Sequence, residues 1–298
     1  MSAAFTYQRV LLQSDFDRFA RLSGDDNPIH CDPVFARGSH FGATVAHGML
    51  LYSCIAKGLT EFVGPAVRQL EQSLMFSHPT FAGDLLTVGL EIVSERDGVL
   101  ELSTEVTKIG SDGQPLPTAS GRARVLRAGV VAPAAPPLPP SPPPSSDAAG
   151  DASLYGLRPG LSASAERRFS SADLDEYGDL TGDRNTLLRD DAAARACGFA
   201  ARVVPGPLLA GMFSDLLGTR LPGRGTGWMK QGLRFVAPAY ADETLVASVR
   251  ITRLRADKEL VNLATYIHNG AGDIVCAGEA LVLVRNLQDQ RGSAQRVS

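Results

Sequence analysis

Residues 14–51 align without a gap on residues 172–209, and 15 of those 38 positions are identical. That is too many to ascribe to shared composition, so the chain is read as two copies of one unit. The match returns downstream, where Phe76-Ser-His-Pro-Thr-Phe-Ala parallels Phe235-Val-Ala-Pro-Ala-Tyr-Ala, and Ser-Gly-Arg-Ala before Val125 parallels Ala-Gly-Glu-Ala before Val282. Between the copies, eight of the chain's 19 prolines fall within residues 133–144. Such a stretch cannot donate a regular hydrogen-bond ladder; at ~3.1 Å per residue it forms an extended spacer reaching roughly 35 Å. The expected organisation is a first unit over 1–128, a Pro/Ala-rich linker over 129–160 and a second unit over 161–298.

Each copy has the same local grammar. Ser14 with Asp17 reads as a helix start, and Ser23-Gly-Asp-Asp-Asn-Pro as turn chemistry, with Pro28 steering Asn27 away from helical angles. Asp32-Pro33 reads as an N-cap and first helical residue. Residues 49–63 are apolar nearly all round, which predicts a buried helix, and 69–76, 85–93, 99–109 and 119–126 alternate as antiparallel strands. The second copy supplies a helix over 205–221 and strands over 231–236, 244–254, 259–268 and 274–284. A buried helix followed by four or five antiparallel strands predicts an α+β unit, a sheet wrapped around its helix, with two such units side by side.

Composition narrows the partners. At 44% hydrophobic and 20% charged, with net charge −3, the chain reads as globular and has no basic run to attract nucleic acid or an anionic membrane. No stretch approaches the ~18 apolar residues of a membrane span, and the first residues lack a secretory pattern. Cys31, Cys54, Cys197 and Cys276 are scattered with no C-x-x-C pair, as expected for reduced thiols in a cytoplasmic protein.

The string Ser23-Gly-Asp25-x-Asn27-Pro-Ile-His30-x-Asp32, followed by Val45-Ala-His-Gly-Met-Leu-Leu51, resembles the MaoC-like dehydratase family of hot-dog folds, which includes the (R)-specific enoyl-CoA hydratases. The resemblance implies two tandem hot-dog units and catalysis by Asp25 and His30, which hold the water. It also implies a thioester oxygen bound by the backbone N–H of Gly48, coenzyme A thioester substrates, no cofactor and no metal. The residue types suit that chemistry. An acid and an imidazole five residues apart around a proline-fixed turn can converge on one water, and a buried helix start offers free amides to an enolate oxygen.

The second copy keeps Gly182, Asp183, Asn185 and Gly206, but has Leu188 for His30, Thr186 for Pro28 and Pro205 for His47. Pro207 replaces Met49 and removes an amide donor. One working site, in the first half, is expected.

Plainer readings stand beside these. An aspartate in a turn ordinarily caps backbone amides, and Asp183 persists where the histidine is lost. Asn27, retained as Asn185, reads first as turn-stabilising and second as a substrate contact. His47 reads as positioning the loop before the helix. His30, His40 and His47 have no compact metal-ligand spacing, and Cys31 gives way to Arg189 in the repeat. Lys57, Arg68, Arg124 and Lys230 are candidate partners for coenzyme A phosphates, with solvation as the default. Two rival functions share the fold: a non-catalytic acyl-CoA-binding subunit, and a thioesterase that releases free thiol. One chain built this way mimics a dimer, and further pairing into a homodimer is compatible with it.

Overall fold

A computed structural model of the chain describes residues 3–130 and 154–287. In the first half, alternating apolar residues form β1 (Ala4–Val10), β2 (Arg68–Phe76), β3 (Leu85–Arg96), β4 (Val99–Ile109) and β5 (Pro115–Leu126). One sheet face carries Leu86, Val88, Leu100, Leu102 and Val106, all fully buried. The short helices α1 (Gln13–Ser23), α2 (Pro28–Cys31) and α3 (Pro33–Arg37) precede the central α4 (Gly48–Val63), in the same core. The second half repeats the plan: β6 (Ser162–Arg168), α5 (Ser171–Thr181), α6 (Thr186–Arg189), α7 (Asp191–Ala196), the central α8 (Gly206–Asp215), then β7 (Gly227–Phe235), β8 (Thr244–Arg255), β9 (Leu260–His268) and β10 (Ile274–Leu283).

The ten strands form one antiparallel sheet in the order β1-β3-β4-β5-β2-β7-β10-β9-β8-β6. The order is a palindrome about the β2–β7 junction, where Glu71 pairs with Arg234 and Met75 with Lys230. The two halves are therefore related by a pseudo-twofold axis, with α4 and α8 packed against each other in a common core.

The halves also grip each other at helix ends. Arg9 on β1 donates to the Thr181 and Leu180 carbonyls at the end of α5, at 2.8 and 2.6 Å. Its counterpart Arg167 on β6 donates to the Arg21 and Leu22 carbonyls at the end of α1, at 2.8 and 2.5 Å. Each arginine satisfies acceptors that a helix leaves without intrahelical partners.

Some expectations need correction. Helix α1 starts at Gln13 rather than Ser14, because Asp15 accepts the Leu12 N–H at 2.9 Å and fixes the first turn. The helix expected over 205–221 is α8 followed by a π-helical stretch, Leu216–Arg220, closed by Leu221 N–H donating to Leu216 O at 2.8 Å. Strands β1 and β6 were not anticipated. Of the expected spacer, residues 131–153 lie outside the described residues; its end is anchored, with Leu157 buried and Gly160 N–H donating to Ile251 O at 2.8 Å. Among the described residues, no helix is long and apolar enough to cross a membrane.

Candidate active site

Helix α1 ends in Gly24, whose φ of 82° is the left-handed region that glycine enters without strain. The chain then turns inward and buries Asp25, only 1% exposed. Two donors hold its carboxylate. Asn27 N–H reaches Oδ1 at 3.3 Å, and Ser214 Oγ on α8 donates to Oδ2 at 2.5 Å. The acid thus comes from one half and its hydroxyl donor from the other.

Asn27 caps α2, its Oδ1 accepting Ile29 N–H at 3.4 Å, while Nδ2 donates to Gly218 O at 3.2 Å. Both bonds are structural, one within the turn and one across the seam. Helix α2 then presents His30, 7% exposed. Its Nδ1 lies 2.7 Å from the Val45 carbonyl. A carbonyl only accepts, so Nδ1 carries the proton, and in the neutral ring Nε2 is a bare lone pair. That Nε2 is 3.8 Å from Asp25 Oδ2, too far for a direct hydrogen bond.

His47, at the N-cap of α4, is fully buried beneath this pair. Its ring stacks on His30 with centroids 3.7 Å apart and planes 27° apart, and Phe19 closes its flank at 5.2 Å. Nε2 lies 3.0 Å from the Asp25 backbone carbonyl, to which it donates; Nδ1 has no partner. Burial, reinforced by the neighbouring His30, holds the His47 pKa well below the usual imidazole range, so the ring is neutral.

Asp25, His30 and Gly48 all line a cavity of about 330 Å³ that also takes in Phe76, Ser214 and Trp228. Gly48 opens α4, where first-turn amides have no intrahelical acceptor. A side chain there would not fit: a Cβ would sit 2.8 Å from Phe76 Cζ. The structure thus brings together Asp25, Asn27, His30 and Gly48 as expected from the motif.

Sequence reading missed Ser214. Its repeat counterpart is Ala56, so the signal was a hydroxyl on the helix of the half that lacks the histidine. The four candidate phosphate partners do not line this cavity. Lys57 pairs with Glu61 at 2.5 Å, Arg124 pairs with Glu71 at 2.7 Å, and Arg68 lines a different cavity.

Ligand-type atoms of Asp25, His30 and His47 lie within 4.8 Å of one another, a grouping that the spacing of the histidines did not suggest. The arrangement fits an ion poorly. Two nearly parallel stacked rings direct their in-plane lone pairs side by side rather than at one point, and His47 Nε2 and His30 Nδ1 are already committed to carbonyls.

The "MaoC like domain" sequence profile matches residues 2–113, which contain this whole motif. The (R)-specific enoyl-CoA hydratase of Aeromonas caviae is 37% identical over 130 residues, covering 44% of this chain and 97% of that protein. The chain belongs to the MaoC-like dehydratase family. The 3-hydroxybutyryl-CoA dehydratase of Methylorubrum extorquens is 32% identical over 141 residues, covering 47% of this chain and 89% of that protein. Among solved structures, one described as a MaoC-like dehydratase superposes with a TM-score of 0.72 over 94% of this chain and 97% of its own, at 17% identity. A Mycobacterium tuberculosis protein described as having a double hotdog fold gives 0.69 over 95% and 96%, at 16% identity. At such identities the last two speak for the fold alone: this MaoC-like chain is a double hot-dog.

Proposed function

We propose that this MaoC-like protein is a hydro-lyase that reversibly hydrates a 2-enoyl-CoA to an (R)-3-hydroxyacyl-CoA, with Asp25 and His30 as catalytic residues. The observation that carries the reading is the buried pair itself. A carboxyl oxygen of Asp25 and Nε2 of His30 sit 3.8 Å apart on the cavity wall. One water oxygen can touch both at about 2.8 Å, the ordinary hydrogen-bond distance.

In hydration, the water oxygen attacks the β-carbon while its proton passes to the Asp25/His30 pair, and a proton returns from that pair to the α-carbon. The pair acts as a unit, and neither residue is assigned as the sole base. The thioester oxygen gains charge as the enolate forms. The Gly48 amide at the start of α4 is the donor for it, aided by the positive end of the helix dipole. Ser214 and Asn27 N–H orient the carboxylate. Nothing beyond the coenzyme A of the substrate is required, and no ion takes part. The (R) configuration and the thioester substrate are carried over from the relatives.

One site works per chain. The pseudo-equivalent position has Leu188 for His30 and so lacks the imidazole, while Ala56 stands for Ser214 and the hydroxyl on its acid, Asp183, comes from Thr60 instead.

Hydration of crotonyl-CoA, followed by loss of the conjugated-thioester absorbance, tests the reading. Asp25→Asn and His30→Ala are each expected to lower turnover by ~10²–10⁴ with far-UV circular dichroism unchanged. Near-wild-type rates in either would reject the assignment. Binding without hydration in the wild type would favour the carrier subunit, and release of free thiol a thioesterase.

A further inference from the structure

The pseudo-twofold axis generates a second cavity, of about 90 Å³, between the second-half loop and the opposite end of α4. It shares no lining residue with the first, so it is not an extension of the active cleft. Its walls differ systematically from their counterparts. His30, His78, Thr80 and Ser214 of the first cavity become Leu188, Ala237, Ala239 and Ala56 in the second. The space and the acid Asp183 persist, while the imidazole that would share a water with that acid is gone.

Besides Thr60, Asp183 and Asn185, three donors stand on this wall at defined places. Gly206 opens α8 with a free amide, and Pro207 after it has none. Gln69 lies beside it, with Oε1 2.9 Å from where a Gly206 Cβ would stand. Tyr52 donates to that Oε1 at 2.7 Å, which fixes the amide orientation and leaves Nε2 as a buried donor with no acceptor. A buried unpaired donor is unfavourable, and a ligand carbonyl would relieve it. Arg68, also on the wall, lies over the Phe199 ring at 5.5 Å and has no carboxylate partner among the described residues.

We infer that this second cavity is a non-reactive binding site for the short acyl chain of a thioester, its carbonyl held by the Gly206 and Gln69 amides and its anionic carrier met by Arg68. On a scale where one water needs about 10–15 Å³, the space takes a chain of a few carbons. A free carboxylic acid is the wrong ligand. Asp183, buried in the same wall, has its pKa raised by desolvation, so the site already disfavours negative charge. The thioester class rests on the proposed function; the existence of a second site does not.

The chain's one tryptophan, Trp228, lines the first cavity and separates the two sites in one experiment. Butyryl-CoA, saturated and so unable to be hydrated, is titrated into the full chain by calorimetry and by Trp228 fluorescence. The expected result is two equivalents of heat per chain, with a fluorescence change that follows only one. Ala237→Phe fills the second cavity from its rim and is expected to leave one equivalent, with the Trp228 curve unchanged. Val203→Phe does the same from another wall and serves if the first variant loses its circular dichroism. Sodium butyrate in place of the thioester is expected to give no second-site heat. One equivalent in the wild type, or two in both filled variants, overturns the inference. Failure to hydrate crotonyl-CoA would instead sink the proposed function, and the difference in count between wild type and variant would still be read.

Discussion

Replacing Ser214 by alanine is the sharpest test of a site shared between the halves. Ser214 belongs to α8, yet its hydroxyl donates to Asp25 Oδ2 at 2.5 Å, inside a pocket where Asp25 is 1% exposed. With the hydroxyl gone, Asn27 N–H at 3.3 Å is the donor left to that carboxylate among the described contacts. A hydrogen bond to a charged group contributes about 1.5–3 kcal/mol. At about 1.4 kcal/mol per factor of ten, loss of that orientation predicts a kcat lower by ~10–150-fold. The effect should fall on kcat more than on KM, because the hydroxyl touches the acid and not the thioester. Crotonyl-CoA hydration measures both constants, and Ser214→Thr, which keeps the hydroxyl, is expected to recover much of the rate. Ala56→Ser is the internal control: it places the same group at the pseudo-equivalent position, and its rate should stay within about twofold of wild type. A Ser214→Ala enzyme as fast as the wild type, or an Ala56→Ser enzyme as slow as Ser214→Ala, would refute the cross-half site.

Two buried groups predict opposite pH slopes of stability. His47 is held neutral by burial, so the unfolded chain takes up a proton below about pH 6.5 while the folded one does not. Its contribution is present above that pH and lost as pH falls, and His47→Phe should flatten the acid limb of a Tm-against-pH curve, at a lower Tm throughout. Asp183 has a raised pKa, chiefly from desolvation, so its contribution is present below the ordinary carboxylate range and lost as pH rises through the folded value. Asp183→Asn, whose carbonyl can still accept Asn185 N–H, should raise Tm at pH 7 and remove that fall; calorimetry across pH 4–8 checks both variants. Prolonged dialysis against a chelator should leave crotonyl-CoA hydration unchanged, and a rate that falls and returns on adding zinc would place an ion among Asp25, His30 and His47.

Much of this was legible in the sequence for an identifiable physical reason. The repeat, the buried helix before each set of strands and the turn at Asp25 are local patterns, and local patterns survive in a linear reading. Strands β1 and β6 were not legible. As outermost strands they alternate between exposed and half-buried, as in Thr6-Tyr7-Gln8-Arg9, and so lack a clean apolar face. The end of α8 escaped because its change of hydrogen-bond pitch lies where Gly218 meets the Asn27 side chain of the other half. Ser214 and the stacking of His47 on His30 escaped for the same reason. Both depend on what folding brings together, 189 residues apart in the pair Asp25–Ser214. The four cations offered for phosphates do not line the first cavity, and one of them, Arg68, lines the second.

The palindromic strand order has an evolutionary reading. In an assembly of two identical chains, every substitution is written twice, so an improvement at one end of the shared seam is imposed on the other. Here the two ends are spelled by different codons. A change at Leu188 or Ala56 leaves Asp25, His30 and Ser214 untouched, so either end is free to drift without altering its twin.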